Sequence, residues 1–218
     1  MARLLHIDSS ATPGGSVSRE VAATFRKAWD AAHPGNSVTY RDVAAEPVPH
    51  LDSDGIASRF VPVERRDAAQ RAAAAVQDAL VAELVSADAY LLSVPMYNWS
   101  VPSTFKAWLD HVIVPGRTTA FGNEPQSVRG RPATVVLATG GAYGPSSSRS
   151  DWDFATPYLH RVLRDGLGLE TEIVRVELTL AHSNPAMADL RGAADANRLE
   201  AHSAVEHRAR ALAARLAG

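Results

Sequence analysis

Three short stretches combine residue types suited to holding a phosphorylated, planar ligand. The first is Asp8-Ser9-Ser10-Ala11-Thr12-Pro13-Gly14-Gly15-Ser16-Val17-Ser18. Its glycines free the backbone, its hydroxyls add donors, and a helix follows, so N–H and O–H groups can converge on a phosphate. It has neither the lysine of a triphosphate-binding loop nor the G-x-G-x-x-G spacing of a dinucleotide site, which suits it to a monophosphate. Taken alone, it reads equally well as a polar turn capping a helix. The second stretch, Pro95-Met96-Tyr97-Asn98-Trp99-Ser100-Val101-Pro102, offers two aromatic rings, a thioether and an amide. A planar heterocycle could stack there and be hydrogen-bonded at its edge, although loop aromatics often form only a hydrophobic corner. The third, Thr139-Gly140-Gly141-Ala142-Tyr143-Gly144, pairs glycines that allow backbone N–H groups close to a ligand, or simply make a flexible turn. Each signal is weak alone; three at successive strand ends are stronger.

Other chemistries find little support. Ser9 and Ser10 lack the G-x-S-x-G surroundings of an activated nucleophile. The chain has no cysteine, which excludes disulfides, thiolate zinc sites and cysteine nucleophiles. Its eight histidines are scattered, without an H-E-x-x-H pair. His202 and His207 are five residues apart and fall on different helix faces. No metal is expected; His111, at the end of the helix after the second stretch, is the one exception to check.

The elements that must position these stretches follow from hydrophobic periodicity. Strand-length apolar runs at Arg3–Ile7, Val38–Asp42, Ala87–Val94, Pro132–Ala138 and Ile173–Leu178 alternate with helical patterns. Helices are expected over Ser18–His33, from about Asp67 to Val85, and from Pro102 to about Val112. Two more start at Thr156-Pro157, with the threonine hydroxyl as cap, and at Asn184-Pro185. Residues 43–64, with Pro47, Pro49 and Pro62, read as a surface excursion, and Arg198–Arg215 as a solvated helix face. Such alternation predicts an α/β fold, a doubly wound five-stranded parallel sheet with helices on both faces. Ligands bind such sheets outside the carboxyl ends of the strands, where the three stretches lie.

Length and composition agree. The 218 residues, 46 % hydrophobic and 21 % charged, are ordinary for a globular chain and are expected to form a single domain over 1–218. A fold of this size buries roughly 70–75 % of its unfolded surface. A net charge of -2 provides no basic face for nucleic acid. The opening MARLLHIDSS reaches Asp8 after a short apolar run, unlike a signal peptide or membrane anchor, and no later stretch would span a bilayer. The expectation is a soluble, cytoplasmic protein.

SSATPGGSVS, VPMYNWSVPSTFKAWLDHV, ATGGAYGP and TPYL at Thr156–Leu159 occur together in this order over almost the whole chain. In these segments the chain resembles the FMN-dependent NADH-azoreductase and NAD(P)H quinone reductase family of flavodoxin-like fold. The resemblance implies the strand order 2-1-3-4-5. It also implies that Ser10, Ser16, Val17 and Ser18 bind the FMN phosphate. Pro95, Met96, Tyr97, Asn98 and Trp99 would wrap the isoalloxazine and ribityl chain, and Thr139, Gly140 and Gly141 would face the flavin's pyrimidine edge. Trp99, Phe121 and Tyr143 would line the substrate pocket. NADH or NADPH would donate, quinones or azo compounds would accept in a ping-pong cycle, and two subunits would share active sites as a homodimer. No side chain need act as a nucleophile.

Two departures bear on substrate choice. Relatives tend to carry an aromatic soon after the position of Gly116, where this chain has Arg117-Thr118-Thr119-Ala120-Phe121. Where relatives place an apolar segment over the partner's flavin, this chain has Leu163-Arg164-Asp165-Gly166-Leu167-Gly168, expected to make the pocket more polar and bulky apolar dyes poor substrates. Arg117 is a candidate contact for the extra phosphate of NADPH. Two other classes remain open: a flavodoxin-type electron carrier, disfavoured by the small net charge, and an acyl-carrier-protein phosphodiesterase-like hydrolase, disfavoured by the missing triad.

Overall fold

The computed structural model describes residues 1–32, 35–120 and 126–217. Five parallel strands, β1 (Arg3–Asp8), β2 (Ser37–Asp42), β3 (Ala89–Pro95), β4 (Pro132–Ala138) and β5 (Glu170–Val176), form one sheet in the order β2-β1-β3-β4-β5. The chain steps outward from β1 to β2, then crosses back past β1 to β3. The carboxyl ends of β1 and β3 therefore flank a topological switch point.

Helices α1 (Val17–Ala32) and α6 (Arg191–Ala217) cover one face of the sheet. On the other lie α3 (Ala68–Ser86), α4 (Ser103–Val112) and the short α5 (Ala155–Leu159). Covered on both sides, β3 and β4 are buried at every position, as their continuous apolar runs require. α1 presents Val21, Ala22, Phe25, Ala28 and Trp29 to the sheet at helical spacing. Full burial of a side chain such as Phe25 contributes about 1.5–3 kcal/mol. α3 begins with a capping box: Asp67 accepts from the Gln70 N–H at 2.9 Å, and the Gln70 side chain accepts from the Asp67 N–H at 3.3 Å. The excursion at 43–64 holds only the five-residue α2 (Ser53–Ala57) and the start of a 3-10 turn, Val63–Arg65. Among the described residues no helix is long and apolar enough to cross a membrane.

Four expectations shift. β5 starts at Glu170 rather than Ile173, because an edge strand tolerates Glu170 and Glu172 on its exposed side, and it ends at Val176. Leu178, with φ 60°, cannot extend it. Pro102 is the residue ahead of α4, extended at ψ 145°, and not its first helical residue. α5 is capped by Asp153, whose carboxylate accepts from the Thr156 N–H at 2.9 Å; the Thr156 hydroxyl instead accepts from Arg175 at 2.6 Å. The arginines of α6 are more than a solvated face. Arg198 bonds Glu20 of α1, and Arg208 and Arg215 reach Glu172 and Glu170 of β5 at 3.1 and 3.0 Å. His33, the expected end of α1, lies outside the described residues.

Candidate functional site

The serine loop leaves β1 and enters α1. Ser9 is structural: its hydroxyl donates to the Ser93 carbonyl at 2.8 Å and is buried. Ser10 Oγ lies 3.4 Å from the Tyr97 hydroxyl, which also accepts from the Ala11 N–H at 3.0 Å. Tyr97 thus joins the first stretch to the second. Gly15 has φ 74°, a left-handed turn that only glycine adopts freely, and it delivers the chain to Ser16 at the helix start. Ser16 Oγ is 3.2 Å from Ser18 Oγ and accepts from the Arg19 N–H at 3.5 Å. Among the described residues, no acceptor within the chain takes the Val17 and Ser18 N–H groups. A helix N-terminus with free donors and partial positive charge suits a phosphate.

Arg19, in the first turn of α1, would oppose the helix dipole unless its charge were balanced. It is turned into a cluster of carboxylates. Its guanidinium reaches Asp42 at 2.7 and 2.9 Å, Asp8 at 3.2 Å and the Ser10 carbonyl at 2.7 Å. Burial pushes the Asp8 carboxyl upward, but His6 (3.2 Å), the Tyr40 hydroxyl (2.9 Å) and Arg19 outweigh it and hold the carboxyl below its usual range. Asp42 is treated alike: burial raises it, while Arg19 and the Ala45 and Ala44 N–H groups lower it further. Tyr40 is pushed up to about 12 by burial and by its bond to Asp8. The charges behind the loop are consumed by the fold, and the loop keeps neutral donors on offer.

After β3 the chain makes a two-residue hairpin. Tyr97 and Ser100 exchange N–H···O bonds at 2.9 and 3.0 Å, and Asn98 and Trp99 between them have φ 47° and 66°. Two successive left-handed residues define a type I′ turn, normally given to Asn-Gly. Trp99 in the second position is strained and is held from outside. Its carbonyl accepts from the Phe154 N–H at 3.0 Å, and its ring meets Trp152 edge-on at 5.2 Å. Sequence reasoning missed this turn, whose only local hint is Asn98. The Asn98 and Trp99 N–H groups also have no acceptor within the described chain.

The glycine stretch follows β4 and is laced to the segment after β5. Leu180 N–H donates to the Gly140 carbonyl at 3.2 Å, and Leu178 N–H to the Gly141 carbonyl at 3.3 Å. Glu177 Oε1 accepts from the N–H groups of Tyr143 and Gly144 at 2.7 and 2.6 Å. Thr139 is buried, and its hydroxyl donates to the Gly141 carbonyl at 2.8 Å. The Gly140 and Gly141 N–H groups find no acceptor among the described residues.

The second and third stretches enclose a cleft of about 360 Å³, to which Met96, Asn98, Trp99, Gly140, Gly141 and Tyr143 contribute. A second cleft of about 460 Å³, lined in part by Tyr97, shares Asn98 with the first. Arg149, Leu180, Asn184 and Met187 also line the first, and the sequence reading did not include them. The rule that ligands sit at strand carboxyl ends would have found Leu180 and Asn184, had it been applied to β5 as well. Phe121 lies outside the described residues. His111 is buried, with Nε2 2.8 Å from the Pro49 carbonyl, and no group of three metal-ligating side chains occurs among the described residues. Arg117 pairs with Asp78 at 2.6 Å and does not line the cleft. Arg164 and Asp165 lie by the amino end of β5, beside a different cavity, so within one subunit they do not make this cleft polar.

The donor set is neutral, backbone-rich and divided between a helix N-terminus and a narrow cleft by the switch point. That matches a phosphate joined to a planar heterocycle, and the fold and site define a flavodoxin-type, mononucleotide-binding class. The chain belongs to the flavodoxin-like fold family, which it matches over residues 2–202. It is 48 % identical to the FMN-dependent NADH:quinone oxidoreductase of Streptomyces avermitilis, over all of both chains. It is 44 % identical to the protein of the same name from Frankia casuarinae, over 96 % of this chain and 99 % of that one. Among solved structures it superposes on an azoreductase from Bacillus anthracis with a TM-score of 0.82 at 20 % identity, covering 96 % of this chain and 99 % of that chain. That likeness shows the shared fold.

Proposed function

We propose that the chain is an FMN-dependent NAD(P)H oxidoreductase that passes two electrons to quinones and azo compounds. The observation that carries this reading is the set of backbone donors at Val17, Ser18, Asn98, Trp99, Gly140 and Gly141 that have no acceptor among the described residues, grouped on three loops at one end of the sheet. The full-length relatives named FMN-dependent NADH:quinone oxidoreductase support it. When bound, FMN supplies the two-electron chemistry.

The chain's own residues bind and orient. Ser10, Ser16, Val17 and Ser18 hold the phosphate, with Arg19 bracing the loop from behind. Pro95 to Trp99 wrap the ring and ribityl chain. Gly140 and Gly141 present fixed backbone dipoles to the ring's pyrimidine edge, where they favour negative charge without reorganising. Thr139, expected to join them, instead donates its N–H to the Val176 carbonyl at 2.8 Å and braces the turn beneath them. Trp99 and Tyr143 wall the cleft that donor and acceptor enter in turn.

We assign residues 1–218 to one FMN-binding domain. We further place the protein in the cytoplasm, where NADH is available, as a homodimer. Trp99, Trp152 and Phe154 are 44, 49 and 61 % exposed beside the cleft, and a second subunit would cover them. Light scattering of the purified chain checks that assembly.

An anaerobic visible spectrum tests the function. The purified protein mixed with FMN and freed of excess should retain a flavin that NADH bleaches and benzoquinone restores. A flavin that binds but stays oxidised with NADH and NADPH would favour an electron carrier; no retained flavin would remove the function and leave the fold.

A further inference from the structure

The cleft beside Gly140 and Gly141 has a single charged residue in its lining. From Met96 to Met187 the other lining residues carry no formal charge; Arg149 does. Three arginines near this end of the sheet face carboxylates, and Arg191 donates to the Ala181 carbonyl at 3.2 Å. Arg19 faces Asp8 and Asp42, Arg175 faces Asp153 at 2.8 Å, and Arg198 faces Glu20. Arg149 has no carboxylate within ion-pair distance among the described residues.

Its position is set by a folded-back loop. Ser147 N–H donates to the Gly144 carbonyl at 2.9 Å, and Ser147 Oγ donates to the Ala142 carbonyl at 2.8 Å. The Arg149 N–H donates to Ser147 Oγ at 3.1 Å, and its carbonyl accepts from the Trp152 N–H at 3.0 Å. The Trp152 ring in turn rests against Trp99. A guanidinium on a pinned loop, at the edge of a neutral cleft, presents a planar fork that suits a carboxylate or sulfonate.

We propose that Arg149 is a specificity residue that selects acceptors bearing a carboxylate or sulfonate. The inference rests on the oxidoreductase reading and names the substrate class of the same site. Arg149 adds to the cleft a positive charge from this subunit's own loop.

The test uses the FMN-loaded full chain with saturating NADH. kcat/KM is measured for 1,4-naphthoquinone-2-sulfonate and for 1,4-naphthoquinone in the native protein, Arg149→Gln and Arg149→Lys. The ratio of sulfonated to neutral quinone should fall about 3–10-fold in Arg149→Gln, the scale of one partly exposed charge contact, and recover in large part in Arg149→Lys. Added salt should narrow the native ratio. Calorimetric titration with naphthalene-2-sulfonate, which is not reduced, should show the same order of affinities. An unchanged ratio would overturn the proposal. So would a fall in kcat/KM for NADH with the quinone ratio unchanged, because that would assign Arg149 to the donor's phosphates. A native protein that reduces neither quinone would defeat the oxidoreductase reading itself, whereas failure of the inference alone leaves native activity intact.

Discussion

The two ends of the sheet make different use of polar groups. At the amino end of β4 and β5 lies a cavity of about 790 Å³, twice the size of the cleft at the carboxyl end, with Arg129, Arg164, Asp165, Glu170, Glu172 and Arg208 in its lining. Its charges largely satisfy one another or near neighbours. Arg208 meets Glu172 at 3.1 Å, Arg161 meets Asp165 at 2.8 Å, and Arg215 meets Glu170 at 3.0 Å. Gln126 donates to the Asp165 and Gly166 carbonyls at 2.8 and 2.7 Å. At the carboxyl end the charges are also paired, in the Arg19 cluster, but the loops above them keep backbone donors that find no acceptor among the described residues. Volume therefore points to one end and unanswered polar groups to the other. The second criterion is the physical one, because a ligand is recognised by the groups it satisfies.

The largest expected effect tests whether the carboxyl-end charges belong to the fold. Arg19→Ala leaves Asp8 and Asp42 without their cation; the Arg19 and Asp42 side chains are only 16 and 19 % exposed. Discounting a buried pair for this partial exposure, urea unfolding at pH 7 should show a loss of about 2–3 kcal/mol. Arg161→Ala at the other end removes a partner that is 80 % exposed and should cost less than about 0.5 kcal/mol. The pH dependence has a definite sign. Both carboxyls are lowered in the folded state from 3.8, so their contribution is present above that value and disappears as pH falls through the lowered values. Unfolding free energy measured downward from pH 5 should fall less steeply in Arg19→Ala. Equal losses for the two arginines would break the contrast.

Two glycine substitutions should separate ligand binding from stability. A first side-chain carbon at Gly141 would meet Tyr143 Cε2 at 3.5 Å, an ordinary contact, so the chain itself has room there. Gly141→Val should weaken FMN binding by about 1–3 kcal/mol, the scale of overpacking, with little change in the Tm of the flavin-free protein. Flavin fluorescence quenching measures the first and calorimetry the second. Gly168 is the converse. It has φ 76°, and an added carbon would lie 2.5 Å from Gln126 Oε1. Gly168→Ala should lower stability by about 1–2 kcal/mol, the cost of a left-handed residue that is not glycine, with FMN affinity unaltered. Should Gly141→Val instead lower the apo Tm and leave Kd alone, the ring does not lie against that glycine.

How far the sequence discloses this architecture depends on whether a feature is local. Central strands such as β4 are continuous apolar runs bounded by turn residues, so even their ends are readable. α1 is marked by the spacing of its apolar residues and α3 by its acidic cap, Asp67. β5 is only partly readable because it is an edge, where Glu170 and Glu172 interrupt the apolar signal without interrupting the ladder. At the site, Ser16, Asn98 and Gly141 stand out by type. Arg149 and Glu177 do not, because their roles arise from a return of the chain after β4 and a crossing to β5. The left-handed Trp99 runs against its own preference and is stabilised by the Trp152 ring and the Phe154 N–H, contacts more than 50 residues away that no local pattern encodes.

The smallest effect compares the loss of one hydroxyl at each end. Ser16 Oγ accepts from the Arg19 N–H at 3.5 Å, a long bond, so Ser16→Ala should cost only about 0.5 kcal/mol, the low end for a helix cap. Thr119 Oγ1 donates to the Gly166 carbonyl at 2.7 Å, and Thr119→Val should cost about 1 kcal/mol, the net worth of that one bond, since Gln126 still donates to the same carbonyl. If stability alone governed both sites, the threonine would matter more in every assay. In FMN titration the order should reverse: Ser16→Ala loses a phosphate donor and weakens binding by about 0.5–1.5 kcal/mol, while Thr119→Val binds as the native protein does. That crossing of the two rankings separates a hydroxyl kept for the fold from one held for a ligand; rankings that run parallel would return the serine loop to the plain role of a helix cap.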